Sequence, residues 1–481
     1  NGINLQNFNW DNYDLVVIDE SHNFRNNPQY RDRDTRYSFL LEKVLKSGVK
    51  SKVLMLSATP VNNKFLDLRN QIALAYGDDP EEFSEKLDTK KSVNVILTQA
   101  QKAFNDWTKL PKSERNAKEL MKSLDIDFSI LLDNVTIARS RKHISKYYDV
   151  SEVGDFPKRL PPKSFYTDIA SNEDTIEYKT IYEELMNLTM GVYAPTLYIQ
   201  PSKLSKYDKI YDINVEGKAT LKQFNREKAL QRLMTINMLK RLESCVDSFR
   251  ITIQNVKSAS VRTMTLIDKF EKNLSGSSIQ ELDSIQVDDY DDEDFDMEES
   301  GTIGKVKIDF RDMDLRRYKA DLSHDIAILE TLYDIMSYIT PDKDMKLQKL
   351  IEEVSKKIEN PINPGNKKVL IFSAFADTTN YLYKHLSTYV KNKYGLESAR
   401  IQGNSNGNAS TIPGSKDTDR LLTMFSPISK ERDLIYKDEK FEIDLLIATD
   451  CVSEGQNLQD CDICINYDIH WNPVRIVQRF G

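Results

Sequence analysis

Four consecutive apolar residues, Leu15-Val16-Val17-Ile18, run directly into Asp19-Glu20-Ser21-His22. A run this short reads as a buried parallel strand, because a helix needs a longer periodic segment. Two carboxylates at its carboxyl end fall where open α/β sheets bind ligands, and there they can hold a metal ion and aim a water. About 35 residues on, a second apolar run, Val53-Leu54-Met55-Leu56, enters Ser57-Ala58-Thr59-Pro60. Two such strands with a helical pattern between them predict an α/β fold built on parallel sheets.

The 481 residues are enough for roughly three domains. With 40% hydrophobic and 30% charged residues, the balance is that of a soluble globular protein. No apolar run approaches the ~20 residues a membrane helix requires, so no membrane association is expected. Cys245, Cys451, Cys461 and Cys464 are too few for a disulfide framework, which points to a reducing, cytoplasmic setting. Cys461 and Cys464 form a Cys-x-x-Cys, but within an apolar stretch and without two further nearby ligands, so they read as buried strand thiols.

The formal charge of −8 is unevenly spread. Ten acids and no base lie between Asp283 and Glu299, and setting them aside leaves a remainder of +2. The acidic run reads as a solvated loop, and the remainder is compatible with a local phosphate-binding groove.

Residues 1 to about 75 alternate short strands with helical patterns, and about 80–135 is charged and helical. Phe156-Pro157-Lys158-Arg159-Leu160-Pro161-Pro162-Lys163 is a stiff connector, since proline restricts both itself and its predecessor. Residues 171 to about 280 read as long helices, with Leu233, Met234, Leu239, Leu242, Val246 and Phe249 near helical spacing. After an acidic loop at about 281–303, the α/β pattern returns in Val369–Phe372, Leu445–Ala448 and Ile463–Asn466. The expected organisation is an α/β part at 1–168 with a helical protrusion, a helical insertion at 169–335, and a second α/β part at 336–481.

In order along the chain, these segments resemble the motifs of superfamily 2 helicase-type ATPases. Asp19-Glu20-Ser21-His22 resembles Walker B and Ser57-Ala58-Thr59 the Ser-Ala-Thr motif. Lys368 to Phe375 resembles motif IV, and Arg400-Ile401-Gln402-Gly403-Asn404 with Arg420 and Phe425 the stretch after it. Ala448-Thr449-Asp450 with Ser453 to Leu458 resembles motif V, and Asn466 to Pro473 with Gln478-Arg479-Phe480-Gly481 resembles the approach to motif VI. Within that superfamily the chain resembles the Swi/Snf-type duplex DNA translocases. The residues that carry this are Asp19-Glu20-x-His22, Ile137 to Lys142 followed by Leu160-Pro161-Pro162-Lys163, and Trp471-Asn472-Pro473 before Gln478-Arg479. Leu239 to Ser244 is similar to a helical stretch of bacterial members.

The resemblance implies two RecA-like lobes with large helical insertions, and ATP and Mg²⁺ as the bound species. Asp19 would hold Mg²⁺, and Glu20 would orient and deprotonate the attacking water. Gly455, Asp450, Gln478 and Arg479 would face the nucleotide, the last two with a catalytic role. His22, Ser57, Ala58 and Thr59 would couple the phosphate state to movement. Arg139, Arg141, Lys142, Ser373, Arg400, Thr449 and Trp471 would contact duplex DNA, mainly through its backbone phosphates. Asp450 as a helix N-cap, Trp471 as a core anchor and the basic cluster as a solvated face are the plainer readings of the same residues.

The 481 residues contain no Gly-x-x-x-x-Gly-Lys-[Ser/Thr], and Gly481 falls inside the motif VI resemblance. The expectation is a piece of a longer protein that alone neither binds ATP tightly nor hydrolyses it. An ATP-dead relative is the alternative explanation. Two rival functions remain: an RNA or DNA strand-separating helicase, and a non-catalytic scaffold whose helical insertion binds protein partners.

Overall fold

Alternating apolar residues on β-strands point to opposite faces, so the cover each face receives decides the architecture. The computed structural model describes residues 12–25, 35–47, 49, 51–57, 64–76, 87, 89–111, 113–138, 141–147, 156–170, 177–211, 223–272, 308–403, 407–453, 455–470 and 473–479. These fall into two compact units, 1–163 and 164–481. The acidic run at 283–299 lies outside the described residues.

In the first unit, β1 (Leu15–Ile18) pairs in parallel with β2 (Lys52–Met55), with Leu15 opposite Lys52 and Ile18 opposite Met55. Helix α1 (Arg36–Phe39) runs on into a π-helical turn, Leu40–Leu45, and lies between the two strands in sequence. Ile18, Tyr37, Leu41 and Leu74 form the core here, with Leu74 supplied by α2 (Phe65–Ala75). A separate core joins α2, α3 (Val93–Lys109) and α5 (Ile126–Val135), through Leu68, Ile72, Ile96, Leu97, Phe128 and Leu131. Between α3 and α5 lies α4 (Ala117–Ser123), and α6 (Arg141–Tyr147) follows. The segment read as helical at about 80–135 carries α3, α4 and α5.

One expectation is corrected. β1 was read as a buried strand, yet Leu15 is 52% and Val17 is 53% exposed, and on β2 Leu54 is 48% exposed. Only the alternate face, which carries Val16, Ile18, Val53 and Met55, packs on the core of this unit. Successive strand residues point to opposite faces, so an unbroken apolar run requires cover on both sides, and the described residues supply it on one.

The second unit begins with helices: α7 (Tyr178–Met186), α8 (Leu204–Tyr211), α9 (Gln223–Ser244), α10 (Val246–Lys272) and α11 (Leu315–Ser337). Met234, Met238 and Leu242 of α9 pack with Phe249, Ile253 and Val256 of α10 and with Leu329, Leu332 and Met336 of α11. Two buried carboxylates pin the intervening loop. Asp325 accepts hydrogen bonds from Thr189 N at 2.7 Å, Thr189 Oγ1 at 2.9 Å and Gly191 N at 3.2 Å, while Glu227 accepts one from Thr196 N at 2.9 Å.

The same unit continues into α12 (Met345–Glu359), β3 (Val369–Phe372), α13 (Ala376–Tyr394), β4 (Ser398–Ile401), β5 (Ala409–Ser410), α14 (Thr418–Phe425), α15 (Arg432–Ile435), β6 (Leu445–Ala448), β7 (Cys464–Asn466) and α16 (Pro473–Arg479). The sheet order is β5-β4-β6-β3-β7, parallel except for β5. Val369, Ile371, Leu445 and Ile447 face α12 and α13, in a core with Leu350, Val354, Leu382 and Leu386. Leu370, Phe372, Leu446 and Ala448 face the other way, onto Leu421, Leu422 and Phe425 of α14. Cover on both faces is why β3 and β6 read as continuous apolar runs.

Local signals set the helix ends. Asp344 caps α12 by accepting Leu347 N at 3.0 Å, and Asp417 caps α14. Gly395 ends α13 at φ 69°, with its N–H on Lys391 O and Leu396 N–H on Val390 O, a left-handed stop that glycine adopts without strain. Among the described residues, no helix is long and apolar enough to cross a membrane.

Candidate functional site

In the first unit, the polar residues after β1 are held by the end of β2. Leu56 N donates to Ile18 O at 2.9 Å, and Ser21 N returns to Leu56 O at 2.9 Å, so the pairing runs past the strand ends. Between these bonds Glu20 takes the left-handed conformation, φ 48° and ψ 49°. A non-glycine residue there is strained and persists only where its surroundings hold it. Here the Glu20 N–H donates to Asp19 Oδ1 at 2.9 Å, and Asn23 N donates to Glu20 O at 3.0 Å.

The turn this makes brings side chains together. His22 is buried, and its Nδ1 lies 3.3 Å from Glu20 Oε2 and 3.4 Å from Ser57 Oγ. Ser21, also buried, donates to Gln71 Oε1 on α2 at 3.2 Å, and Gln71 Nε2 donates to Asp67 O at 3.0 Å. Glu20, His22 and Ser57 are therefore one cluster, with Asp19 exposed beside it. Ala58 and Thr59 lie outside the described residues. No described group of three His, Cys, Asp or Glu could by itself hold a metal ion. One exposed carboxylate at a strand end still suits Mg²⁺, which keeps several waters and takes one or two carboxylates together with phosphate oxygens.

In the second unit, the carboxyl ends of four parallel strands share one edge. Ser373 N donates to Ala448 O, Thr449 N to Ile401 O and Tyr467 N to Phe372 O, so residues 373, 449 and 467 continue the register just past the strands. Thr449 Oγ1 donates to Cys451 Sγ at 3.2 Å. Gly455 takes φ 67°, and a Cβ there would meet open space.

Arg479 is fully buried on α16. Its Nε reaches Asp450 Oδ1 at 2.5 Å and its Nη2 reaches Asp450 Oδ2 at 3.0 Å, while Nη1 donates to Asn466 Oδ1 at 2.9 Å and to Asp468 O at 3.2 Å. The guanidinium also lies 5.4 Å from the Phe372 ring centroid. This bidentate fork joins the ends of β6 and β7 to α16. The fork links Asp450 to the motif VI-like segment, whereas the 3-10 turn at Asp450–Val452 has Thr449 and not Asp450 at its N-cap.

The remaining predicted contacts scatter. Ser373 is fully buried, and its hydroxyl is donated to Asp468 Oδ2 at 2.5 Å, so its side chain offers no donor to a nucleic acid in this conformation. Arg400 lies within β4, where its Nε and Nη2 donate to Gly407 O at 3.0 and 2.6 Å, and burial pulls its pKa down. Thr449 is buried. Arg141 and Lys142 open α6, and Gln478 sits half-buried on α16. Arg139 and Trp471 lie outside the described residues. Asp468, Asn466 and Ser244 were not singled out from sequence. A polar residue two positions past the strand was the available signal for Asp468. A cleft of about 560 Å³, lined by Lys367, Lys368, Arg432, Glu442, Asp444 and Asp460, lies at the opposite, amino edge of the sheet and touches none of these groups.

Residues 345–481 match the helicase conserved C-terminal domain family, and the match starts at the first residue of α12. Over 40 residues, 8% of the chain, the sequence is 55% identical to "Uncharacterized ATP-dependent helicase YqhH" of Bacillus subtilis (strain 168). The aligned segment spans 7% of that relative's length. The structure of the Pyrococcus furiosus Hef helicase domain aligns over 98% of this chain and 69% of its own, at 13% identity and a TM-score of 0.34. The two sequence matches support a helicase superfamily.

Proposed function

We propose that these residues form part of a Swi/Snf-type ATPase that couples ATP hydrolysis to movement along duplex DNA. The observation that carries the reading is the strained Glu20, whose carboxylate is held against His22, with Ser57 of the second strand on the same imidazole nitrogen. A general base must be fixed to act, and a path from that base to a neighbouring strand end is what phosphate sensing needs. Asp19 would hold Mg²⁺, which neutralises charge on the phosphates. Glu20 orients and deprotonates the water, and His22 and Ser57 register whether Glu20 is engaged.

In the second unit the Arg479–Asp450 fork supports a positioning role for both residues, which fixes α16 and Gln478 against the sheet. Gly455 and Thr449 remain candidates for the nucleotide and DNA sides of the same edge. Arg139, Arg141, Lys142 and Trp471 remain proposed contacts to DNA phosphates. Such contacts are salt-dependent and carry little sequence information.

The chain holds no glycine-rich phosphate loop with its lysine. We therefore place catalysis in the protein that contains such a loop together with these residues, and expect no turnover from the 481 residues alone. ATP turnover by that protein, with and without duplex DNA, tests the reading. Glu20→Gln is expected to lower kcat by about 10²-fold or more while ATP binding persists. Unchanged turnover in Glu20→Gln would refute the assignment, and stimulation by single-stranded RNA but not by duplex DNA would favour the strand-separating alternative.

A further inference from the structure

The segment Leu239–Ser244 lies at the end of α9, at the point where the two long helices α9 and α10 meet around Cys245. Arg241 and Ser244 are buried, while Glu243 is exposed. The Arg241 and Ser244 side chains and the last two carbonyls enter a polar joint with the carboxyl edge of the sheet. Arg241 Nη1 donates to Asp377 Oδ2 at 2.7 Å, and its guanidinium lies 4.9 Å from the Phe375 ring centroid. Ser244 Oγ lies 2.7 Å from Thr378 Oγ1 and donates to Asp468 Oδ2 at 2.6 Å. The Glu243 and Ser244 carbonyls accept from Lys346 Nζ at 2.5 and 3.0 Å, and that ammonium sits 4.3 Å from the Tyr467 ring centroid.

Asp468 is the hub. Besides Ser244, its carboxylate takes Ser373 Oγ at 2.5 Å and Ala374 N at 2.8 Å, and its own carbonyl takes Arg479 Nη1 at 3.2 Å. Arg241, Ser244, Ser373, Thr378, Asp468 and Arg479 are all buried. Desolvating so many polar groups costs free energy unless every partner is in place, so such a joint tolerates one arrangement and penalises slippage. An apolar contact between the same elements would hold them together without fixing their register.

We infer that the α9–α10 junction is a positioning element for the carboxyl edge of the sheet. Arg241, Ser244 and Lys346 hold Asp468 and the 373–378 segment that leads into α13, and through Asp468 they set where Arg479 and Asp450 stand. The helical segment is then more than an appended arm. Any load on its helices reaches the motif V-like and motif VI-like residues through one carboxylate. The joint itself stands on the contacts above, and only its use in catalysis rests on the proposed function.

Amide hydrogen exchange on the 481-residue chain tests the joint with no nucleotide or nucleic acid present. Ser244→Ala is compared with Ser260→Ala, which removes an equally buried hydroxyl that donates only within α10, to Val256 O. Ser244→Ala is expected to speed exchange roughly tenfold at 374–379 and also at 477–479 on α16. Ser260→Ala should leave both stretches unchanged. If Ser244→Ala does not fold, Arg241→Lys, which keeps the charge but loses the Nη1 bond to Asp377, is read in the same way. Acceleration confined to α9 and α10, or equal in the two variants, overturns the inference. The second arm is ATP turnover by the protein that contains the phosphate loop, where Ser244→Ala should lower kcat with KM for ATP unchanged. Exchange as expected with no turnover in the unmutated protein would sink the proposed function and leave the joint standing.

Discussion

Removing the Asp450 carboxylate should unseat the second unit more than its partly exposed position suggests. The Arg479 side chain is 0% exposed, whereas that of Asp450 is 19% exposed. Asp450→Ala deletes two of the four hydrogen bonds on the guanidinium and the only carboxylate among its acceptors, leaving Asn466 Oδ1 and the Asp468 carbonyl. Breaking a buried pair by removing one partner costs about 3–5 kcal/mol, because the other charge stays desolvated. Two neutral acceptors remain and water can reach the vacated position, so the lower end applies, about 3 kcal/mol. The assay is amide exchange at Ile371 and Ile447 in the centre of β3 and β6, whose amides exchange when the sheet opens. At about 1.4 kcal/mol per factor of ten, the loss reads as roughly a hundredfold faster exchange. Arg479→Met alone should cost less, since the carboxylate it strands can meet solvent. The double variant should lie well above the sum of the two single ones in stability. An Asp450→Ala effect under tenfold, or strict additivity in the double variant, would refute the claim that the fork is a desolvated ion pair.

Two further tests reach other parts of the unit. Gly414 sits at φ +98°, and a Cβ there would lie 2.9 Å from Arg420 Nη2, a guanidinium fixed by Glu439 and by the Ser415 and Pro413 carbonyls. Gly414→Ala should cost about 2 kcal/mol, more than Gly395→Ala at φ +69° in open space, and equal melting temperatures for the two would contradict the packing argument. Burial pushes the Cys245 and Cys464 thiols up to about 12 and the Cys461 thiol up to about 11, while Cys451 is exposed. Between pH 7 and 9 the native chain should therefore react with a disulfide reagent first at Cys451 and last at the buried Cys245, with the half-buried Cys461 and Cys464 between them, and the denatured chain at all four; equal rates at Cys451 and Cys245 in the folded chain would be inconsistent with this packing.

Much of this was legible from residue order, and the reason differs from place to place. Val369–Phe372 and Leu445–Ala448 stand as strands with the bounds read from sequence, because cover on both faces forces every position to be apolar. The cysteine-bearing strand was read one residue long, since β7 starts at Cys464. β1 carried the same apolar signature, but only its alternate face is covered in the structure. A run of apolar residues reports that cover is needed, and it does not say which part of a chain provides it. The polar joint at Ser244 was invisible for a related reason. Ser244 and Asp468 are 224 positions apart, and a serine at a helix end reads as solvated until the sheet edge arrives beside it.

The sequence by itself determined the element types, the order of the motif-like segments and the chemistry available at each strand end. Those follow from local pattern: the period of apolar residues, the capping residues and the residue after each strand. Tertiary structure decided which of those polar residues are spent inside the protein. It turned Ser373 inward to Asp468, closed Arg479 on Asp450, and set Glu20 in a left-handed turn against His22 and Ser57. Desolvation and hydrogen bonding between residues far apart in the chain make those choices, and no local pattern records them.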